Sequence, residues 1–266
     1  MKNWYEQSIK SLIENYLKEA GYDFSFDETN YWDYNLSTWL KEVNESDKEH
    51  FITIANKARS YAFDQKYGCY SYEKDFRSVC PNWNNIILSE ITQQLGKDLS
   101  NNSILALGSN NGSELAIIFE NYLSSLSIDV VEISKQACDS GKKTFPSFNF
   151  ICSSMDEVEL YKYYDIFLSL RAAYCASNHL EIIAKKAYDS VKENGIIIFS
   201  ISNGYIDYSS NKPTPIKGLY NPETMLCSND ETNQYIHWLK DAMLTSGCKN
   251  VKIVDAESEI LLISSK

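Results

Sequence analysis

The chain has 266 residues, 44% of them hydrophobic and 23% charged, a balance that suits one large globular domain, or one domain with an elaborated cap, and leaves little room for disorder. The formal charge of −11 argues against a nucleic-acid backbone as the main partner, because no basic stripe outweighs the acidic background. No run approaches the roughly 18–20 apolar residues that cross a bilayer, and the opening MKNWYEQSIK lacks a signal-peptide core, so no membrane partner and a cytoplasmic location are expected.

The first 95 residues read as helices separated by aromatic turns. SIKSLIENYLKEAG carries apolar residues at helical spacing and closes on Gly21, a C-cap position. NLSTWLKEV and DKEHFITIANKARSYAF are further amphipathic stretches, followed by NNIILSEITQQLGK. No clear alternating strand interrupts them, so residues 1–95 are expected to form a helical cap or lid. The rings at Tyr22–Trp39 and Tyr61–Phe76 admit two readings: the wall of an apolar or aromatic substrate pocket, or the packed interior of a helical subdomain.

From Ser103 the pattern changes to strand–helix alternation. SILALG is a strand and GSELAIIFENYLSSL a helix; IDVVEIS is a second strand and KQACDSGKKTF a short helix. FNFICSS and YYDIFLSL are the third and fourth strands, HLEIIAKKAYDSVKENG a helix, and IIIFSIS the fifth strand. Several strands are almost continuously apolar, as parallel strands covered on both faces must be. SSNKPTPIKGLYNPETM reads as a loop, and HWLKDAMLTSGC as the last helix. NVKIVDAES and EILLISSK are joined too tightly for a helical crossover and should pair antiparallel. The expected fold is α/β: a doubly wound, mostly parallel, Rossmann-like sheet with a C-terminal antiparallel hairpin, spanning residues 96–266 behind the N-terminal helical cap.

Seven scattered Cys with no CxxC pair suit reduced thiols, and three His without HxH or HExxH spacing give no support for a metal. The informative stretch is ILALGSNNGSEL. In a doubly wound sheet, ligands bind beyond the carboxyl ends of the strands, beside the first one. Gly108 permits a sharp turn there, and Gly112 lets the following helix begin close to the strand or to a ligand. The second strand ends in Glu132, whose carboxylate either accepts hydrogen bonds from both hydroxyls of a ribose or caps the helix that follows. A dinucleotide fingerprint would need Gly at 108, 110 and 113; Asn110 and Ser113 break it twice.

With those residues in place, the chain resembles the class I S-adenosylmethionine-dependent methyltransferases over roughly Leu95–Lys266. ILALGSNNGSEL is similar to their glycine-rich first motif, VVEIS to the acidic second-strand motif, FNFICSSMDEV to the third, and YDIFLSL to the fourth strand. AYDSVKENGIIIFS resembles their helix–turn–strand, and the reversed C-terminal hairpin is their topological mark. The departures are Ala106 where an acid is common, Asn110 for the middle Gly, ENG for PGG, and Ser154 where Asp is frequent. Without an acid at 106, contacts to a methionine ammonium would come partly from elsewhere, and the Asn110 carbonyl oxygen is one source. By this resemblance the cofactor is S-adenosylmethionine, with S-adenosylhomocysteine as product. Leu107, Gly108 and Ser109 would line the methionine end, with Asn110 and Gly112 completing the turn. Glu132 would bind the ribose, Ile133 would pack on the adenine, Ser154 and Met155 would meet its edge, and Leu170 with Arg171 would sit beside the sulfonium.

The reacting side is expected after the fourth and fifth strands or in the cap. Arg171 would either grip a substrate carboxylate or phosphate or pair with a neighbouring acid. His179 has a pKa suited to acid–base work, yet SNHLE also reads as a helix start capped by Ser177 or Asn178. Tyr174 and Tyr205 are candidates to orient a substrate hydroxyl. The resemblance implies methylation of a small molecule, at O or N in preference to C. The alternatives are a protein or tRNA methyltransferase, or a non-catalytic binding or regulatory protein with a degenerate cofactor site.

Overall fold

A computed structural model of the chain describes residues 7–26, 32–67, 83–173, 180–202, 204–206, 215–217, 229–256 and 259–266. The cap contributes helices α1 (Gln7–Glu19), α2 (Trp32–Glu42) and α3 (Lys48–Tyr67). The α/β part runs α4 (Trp83–Leu95), β1 (Ser103–Leu107), α5 (Ser113–Ile118), β2 (Ser127–Glu132), α6 (Lys135–Thr144), β3 (Asn149–Cys152) and β4 (Tyr164–Leu170). It continues through α7 (Leu180–Ser190), β5 (Val191–Ser202), β6 (Gly204–Ile206), β7 (Pro215–Lys217), α8 (Asn229–Thr245), β8 (Lys249–Ala256) and β9 (Glu259–Ser265).

Seven strands form one sheet in the order β3-β2-β1-β4-β5-β9-β8. The first five run parallel, β9 pairs antiparallel with β5, and β8 pairs antiparallel with β9. The doubly wound sheet with a reversed hairpin is therefore as expected. Alternation along each strand decides which face a residue serves. Leu105, Leu107, Phe167, Ile197, Phe199 and Leu262 pack under α7 and α8. Ile104, Ala106, Val130, Ile166, Leu168, Leu170 and Ile198 form the other core with Trp83, Ile87 and Ile91 of α4 and Leu115 of α5. Helix α4, which lies within the first 95 residues, thus packs on the sheet. Ala106, standing where an acid is common, has its side chain fully buried in this apolar layer.

Three sequence expectations are corrected. The helix opening at Gly112 ends at Ile118 rather than Leu126, because Phe119 leaves helical geometry (φ −105°) to bury its ring, and successive turns then return the chain to β2. The α7 helix stops at Ser190; Val191 already pairs with Tyr164, and Asn194, at φ 65°, turns in a bulge before the main register resumes at Ile196. The expected loop after the fifth strand contains β7, which pairs with β6 as a separate two-stranded ribbon.

The cap has its own core. Ile9, Ile13 and Leu17 of α1, Trp39 of α2, and Phe51, Ala55, Ala58 and Ala62 of α3 are buried together. Trp39 stacks on Phe24 at 5.8 Å and meets Phe26 edge-on at 5.0 Å, while Tyr22 meets Phe51 at 4.8 Å. For these rings the packed-interior reading holds. Residues 68–82, which include most of the second aromatic stretch, lie outside the described residues.

Packing between α6 and β3 generates a first prediction. A Cβ at Gly141 would lie 2.2 Å from the Phe150 ring and 2.9 Å from the Asn111 carbonyl oxygen. Gly141→Ala should therefore destabilise the fold by about 1–3 kcal/mol in urea unfolding, overpacking outweighing the gain in helix propensity.

Candidate cofactor site

The carboxyl end of β1 leads into a turn whose backbone is left-handed at Gly108 (φ 70°), Asn110 (φ 48°) and Gly112 (φ 81°). Asn stands where a Gly would be convenient because it is among the few side chains that tolerate this region. The turn is tied internally: the Asn110 amide oxygen accepts the Asn111 N–H at 2.8 Å, and the Asn111 amide oxygen accepts the Ser113 N–H at 3.1 Å. The Asn110 oxygen thus takes part in holding the turn's own geometry. At Gly108 a Cβ would come within 2.4 Å of the Ala172 side chain and 3.2 Å of Met155, so glycine here lets the chain leaving β4 close on the turn.

Glu132 reaches this turn from the end of β2. One carboxylate oxygen accepts the Asn110 N–H at 2.9 Å, and the other accepts the Ser134 N–H at 2.9 Å. Burial pushes the Glu132 carboxyl above its ordinary range, opposed by the N–H groups of Ser134, Asn110 and Ile133. The helix after it is capped by the Ser134 hydroxyl, which accepts the Ala137 N–H; Glu132 contributes through the Ser134 N–H. Three N–H groups leave the carboxylate acceptor capacity for a further donor, such as a ribose hydroxyl. Beside it, the Ser109 hydroxyl is buried with no hydrogen-bond partner among the described residues, as is the Ser169 hydroxyl on β4. Buried polar groups in folded proteins are nearly always satisfied, and exceptions concentrate where a ligand or water completes them.

The remaining expected contacts fall in two groups. Leu107 and Leu170 send their side chains into opposite cores, leaving only backbone at the strand ends. Met155 packs against the β1 turn and the α7-side core, while the Ser154 hydroxyl donates to Asp156. Ile133 lies against the cap core, and its carbonyl accepts the Ser60 hydroxyl of α3 at 3.1 Å. Two residues that the sequence reading did not single out join here: Asp156, nearly buried, pairs with Arg59 of α3 at 3.7 Å, and Asp64 of α3 accepts the Ser134 hydroxyl at 2.5 Å. No local pattern could have flagged Asp64, whose partner is 70 residues away.

Arg171 occupies a different setting. Its backbone is left-handed (φ 52°), with the N–H on the Ser200 hydroxyl at 3.0 Å. Its guanidinium lies 3.5 Å from Glu114, 3.7 Å from Glu259 and 5.2 Å from the Trp83 ring centre. Of the two readings, the ion pair is the one observed: two buried carboxylates already face this charge, which leaves little to grip a substrate anion. His179 and Tyr174 lie outside the described residues, and Tyr205 is described only as backbone in β6. Among the described residues no cluster of three or more His, Cys, Asp or Glu could hold a metal ion, and no helix is long and apolar enough to cross a membrane.

No protein-family profile and no curated sequence matches the chain. Solved structures do match in fold. The N-methyltransferase NodS from Bradyrhizobium japonicum WM9, solved with S-adenosylhomocysteine, is 8% identical over 78% of this chain and 98% of its own, with a TM-score of 0.52. A candidate O-methyltransferase from Nostoc punctiforme PCC 73102 is 10% identical over 80% of this chain and 60% of its own, with a TM-score of 0.51. PigF, solved with S-adenosylhomocysteine, is 12% identical over 88% of this chain and 69% of its own, with a TM-score of 0.50. The sheet order and these likenesses together establish the class I methyltransferase fold.

The Arg171 cluster makes a testable statement about pH. Burial raises the Glu114 carboxyl from 4.5 to about 7 against the pull of Arg171. The native state therefore binds a proton more tightly than the unfolded chain, and the stability this confers is complete below about 4.5 and lost as pH rises through about 7. Glu114→Gln should remove that component, on the order of 3 kcal/mol at most, and flatten the decline in unfolding free energy between mildly acidic and mildly alkaline buffer.

Proposed function

We propose that the chain is an S-adenosylmethionine-dependent methyltransferase acting on a small molecule, at oxygen or nitrogen in preference to carbon. One observation carries the reading. At the carboxyl end of β2, the buried Glu132 carboxylate bridges the Gly108–Gly112 turn and the Ser134 turn, and its remaining acceptor capacity suits a ribose hydroxyl. The buried Ser109 hydroxyl beside it supports a ligand with polar groups at the same turn. The names of the N-methylating and candidate O-methylating fold relatives support a heteroatom acceptor. The −11 charge supports a small molecule over RNA.

When bound, the cofactor supplies an activated methyl group on a sulfonium. The chain's own part is to hold, orient and keep dry. Backbone from Leu107 to Gly112 would hold the amino-acid end, Glu132 the ribose, and Ile133, Ser154 and Met155 the adenine. Leu170 and Arg171 would border the sulfonium, with Arg171 held in place by Glu114 and Glu259 rather than reaching for substrate. Helix α3, seated on Ile133 and Ser134, would shield the nucleoside end from water.

Calorimetry with S-adenosylhomocysteine and with NAD tests the reading. Binding of the former and not the latter is expected; NAD binding alone would sink it, and binding of neither would favour the non-catalytic alternative. Glu132→Ala should weaken S-adenosylhomocysteine by roughly 1.5–3 kcal/mol, as loss of charge-assisted hydrogen bonds does. A ribose is best accepted by the ionised carboxylate, whose pKa is raised. Affinity should therefore fall on acidification sooner than an ordinary glutamate would cause, which titrations across mildly acidic pH will read.

A further inference from the structure

Helix α3 of the cap touches the expected nucleoside end at three points. Arg59 pairs with Asp156 beyond β3, Ser60 donates to the Ile133 carbonyl, and Asp64, one turn on, accepts both the Ser134 hydroxyl and the Gln136 N–H at 3.1 Å. From Asp64 the hydrogen bonds continue without a gap. Ser134, fully buried, is fixed on three sides: its hydroxyl donates to Asp64 and accepts the Ala137 N–H, and its own N–H donates to Glu132. The opposite oxygen of Glu132 holds the Asn110 N–H in the glycine turn. A cap carboxylate is thereby linked, through one serine and one glutamate, to the left-handed residue at the centre of the turn.

Resting on the methyltransferase reading, we infer that Asp64 is a positioning residue for Glu132, so that the cap helix sets the geometry of the glycine turn. The relay works because each member has a single good arrangement. The Ser134 hydroxyl donates its one hydrogen bond to Asp64, which directs an oxygen lone pair toward Ala137 and pins the residue whose N–H donates to Glu132. With that oxygen held, the carboxylate plane is fixed and the other oxygen meets Asn110. In this arrangement the cap does more than roof the substrate: its seating and the shape of the cofactor turn are coupled. Several titratable groups face this carboxylate. They are Asp64 from α3, Cys138 from α6, whose thiol donates to the Glu132 carbonyl at 3.5 Å, and Cys152 from β3, whose thiol donates to the Ile133 carbonyl at 3.9 Å. Arg59, the nearby cation on α3, is paired with Asp156.

Two variants of the full chain separate a positioning role from a merely structural one. In Asp64→Ala the acceptor is lost, and amide hydrogen exchange at both Ser134 and Asn110 should quicken by about tenfold, with S-adenosylhomocysteine bound about tenfold more weakly. In Asp64→Asn the acceptor oxygen stays and the charge goes. Exchange should stay near wild type, while the Glu132 carboxyl, followed by carbon-13 resonance and assigned with Glu132→Gln, should titrate at lower pH because a like charge has been removed. Quickened exchange confined to Ser134, or a Glu132 titration unmoved in Asp64→Asn, would overturn the inference. The exchange and titration readouts need no ligand, so they decide the relay even where wild-type protein binds no S-adenosylhomocysteine, an outcome that would count against the methyltransferase reading instead. Should Asp64→Ala not fold, the same exchange measurement in Asp64→Leu decides: quickening at both Ser134 and Asn110 is expected, and quickening at Ser134 alone overturns the inference.

Discussion

A carboxylate withdrawn from water at the end of β2 is the constraint around which the site is organised. Left alone, such a group would be costly, and burial indeed displaces its protonation upward. What makes it tolerable is a set of backbone N–H groups from two loops that would otherwise be unsatisfied themselves: Asn110 from the glycine turn and Ser134 from the entry to α6. The bargain is mutual, since each loop gains an acceptor and the carboxylate gains donors. It brings the glycine turn and the entry to α6 to one point at the end of β2.

The second concentration of buried charge follows a different logic. Arg171, Glu114 and Glu259 meet at the carboxyl end of the sheet on the α4 side, over the face of Trp83. Desolvation outweighs the pull of Arg171 and raises the Glu114 carboxyl to about 7. The cluster ties the exit of β4 and the entry of β9 to the start of α5. It holds the strand ends beside the turn in register instead of presenting a free cation.

The cap is more than an appendage in this arrangement. Its interior closes on itself through Trp39, Phe51 and the α1 leucine–isoleucine stripe, yet Ile133 packs against it from the sheet domain. Polar contacts from α3 lie alongside that apolar one, so the junction combines burial with directional hydrogen bonds. Apolar burial seats the helix, and the hydrogen bonds select its register. Together they bring Asp64 of α3 within one hydrogen-bonded neighbour, Ser134, of Glu132.

Much of this was legible in the residues themselves. Continuous apolar runs separated by amphipathic stretches specify buried parallel strands with covering helices, and a tight connection before the last strand specifies its reversal. ILALGSNNG and VVEIS marked the turn and its acid because backbone conformation and charge at a strand end are local properties. What the tertiary structure alone decided were the partners: that Arg171 is held by Glu114 and Glu259, that the Asn110 amide serves its own turn, and that Asp64 stands behind Ser134. It also decided that the helix after Gly112 stops at Ile118, since Phe119 must bury its ring, and that the aromatic residues around Trp39 form a cap interior. The physical reason is common to all of these. A residue's type and its neighbours in the chain limit the conformations and charges available to it, but the choice among partners depends on which distant groups are desolvated beside it, and only the assembled fold sets that.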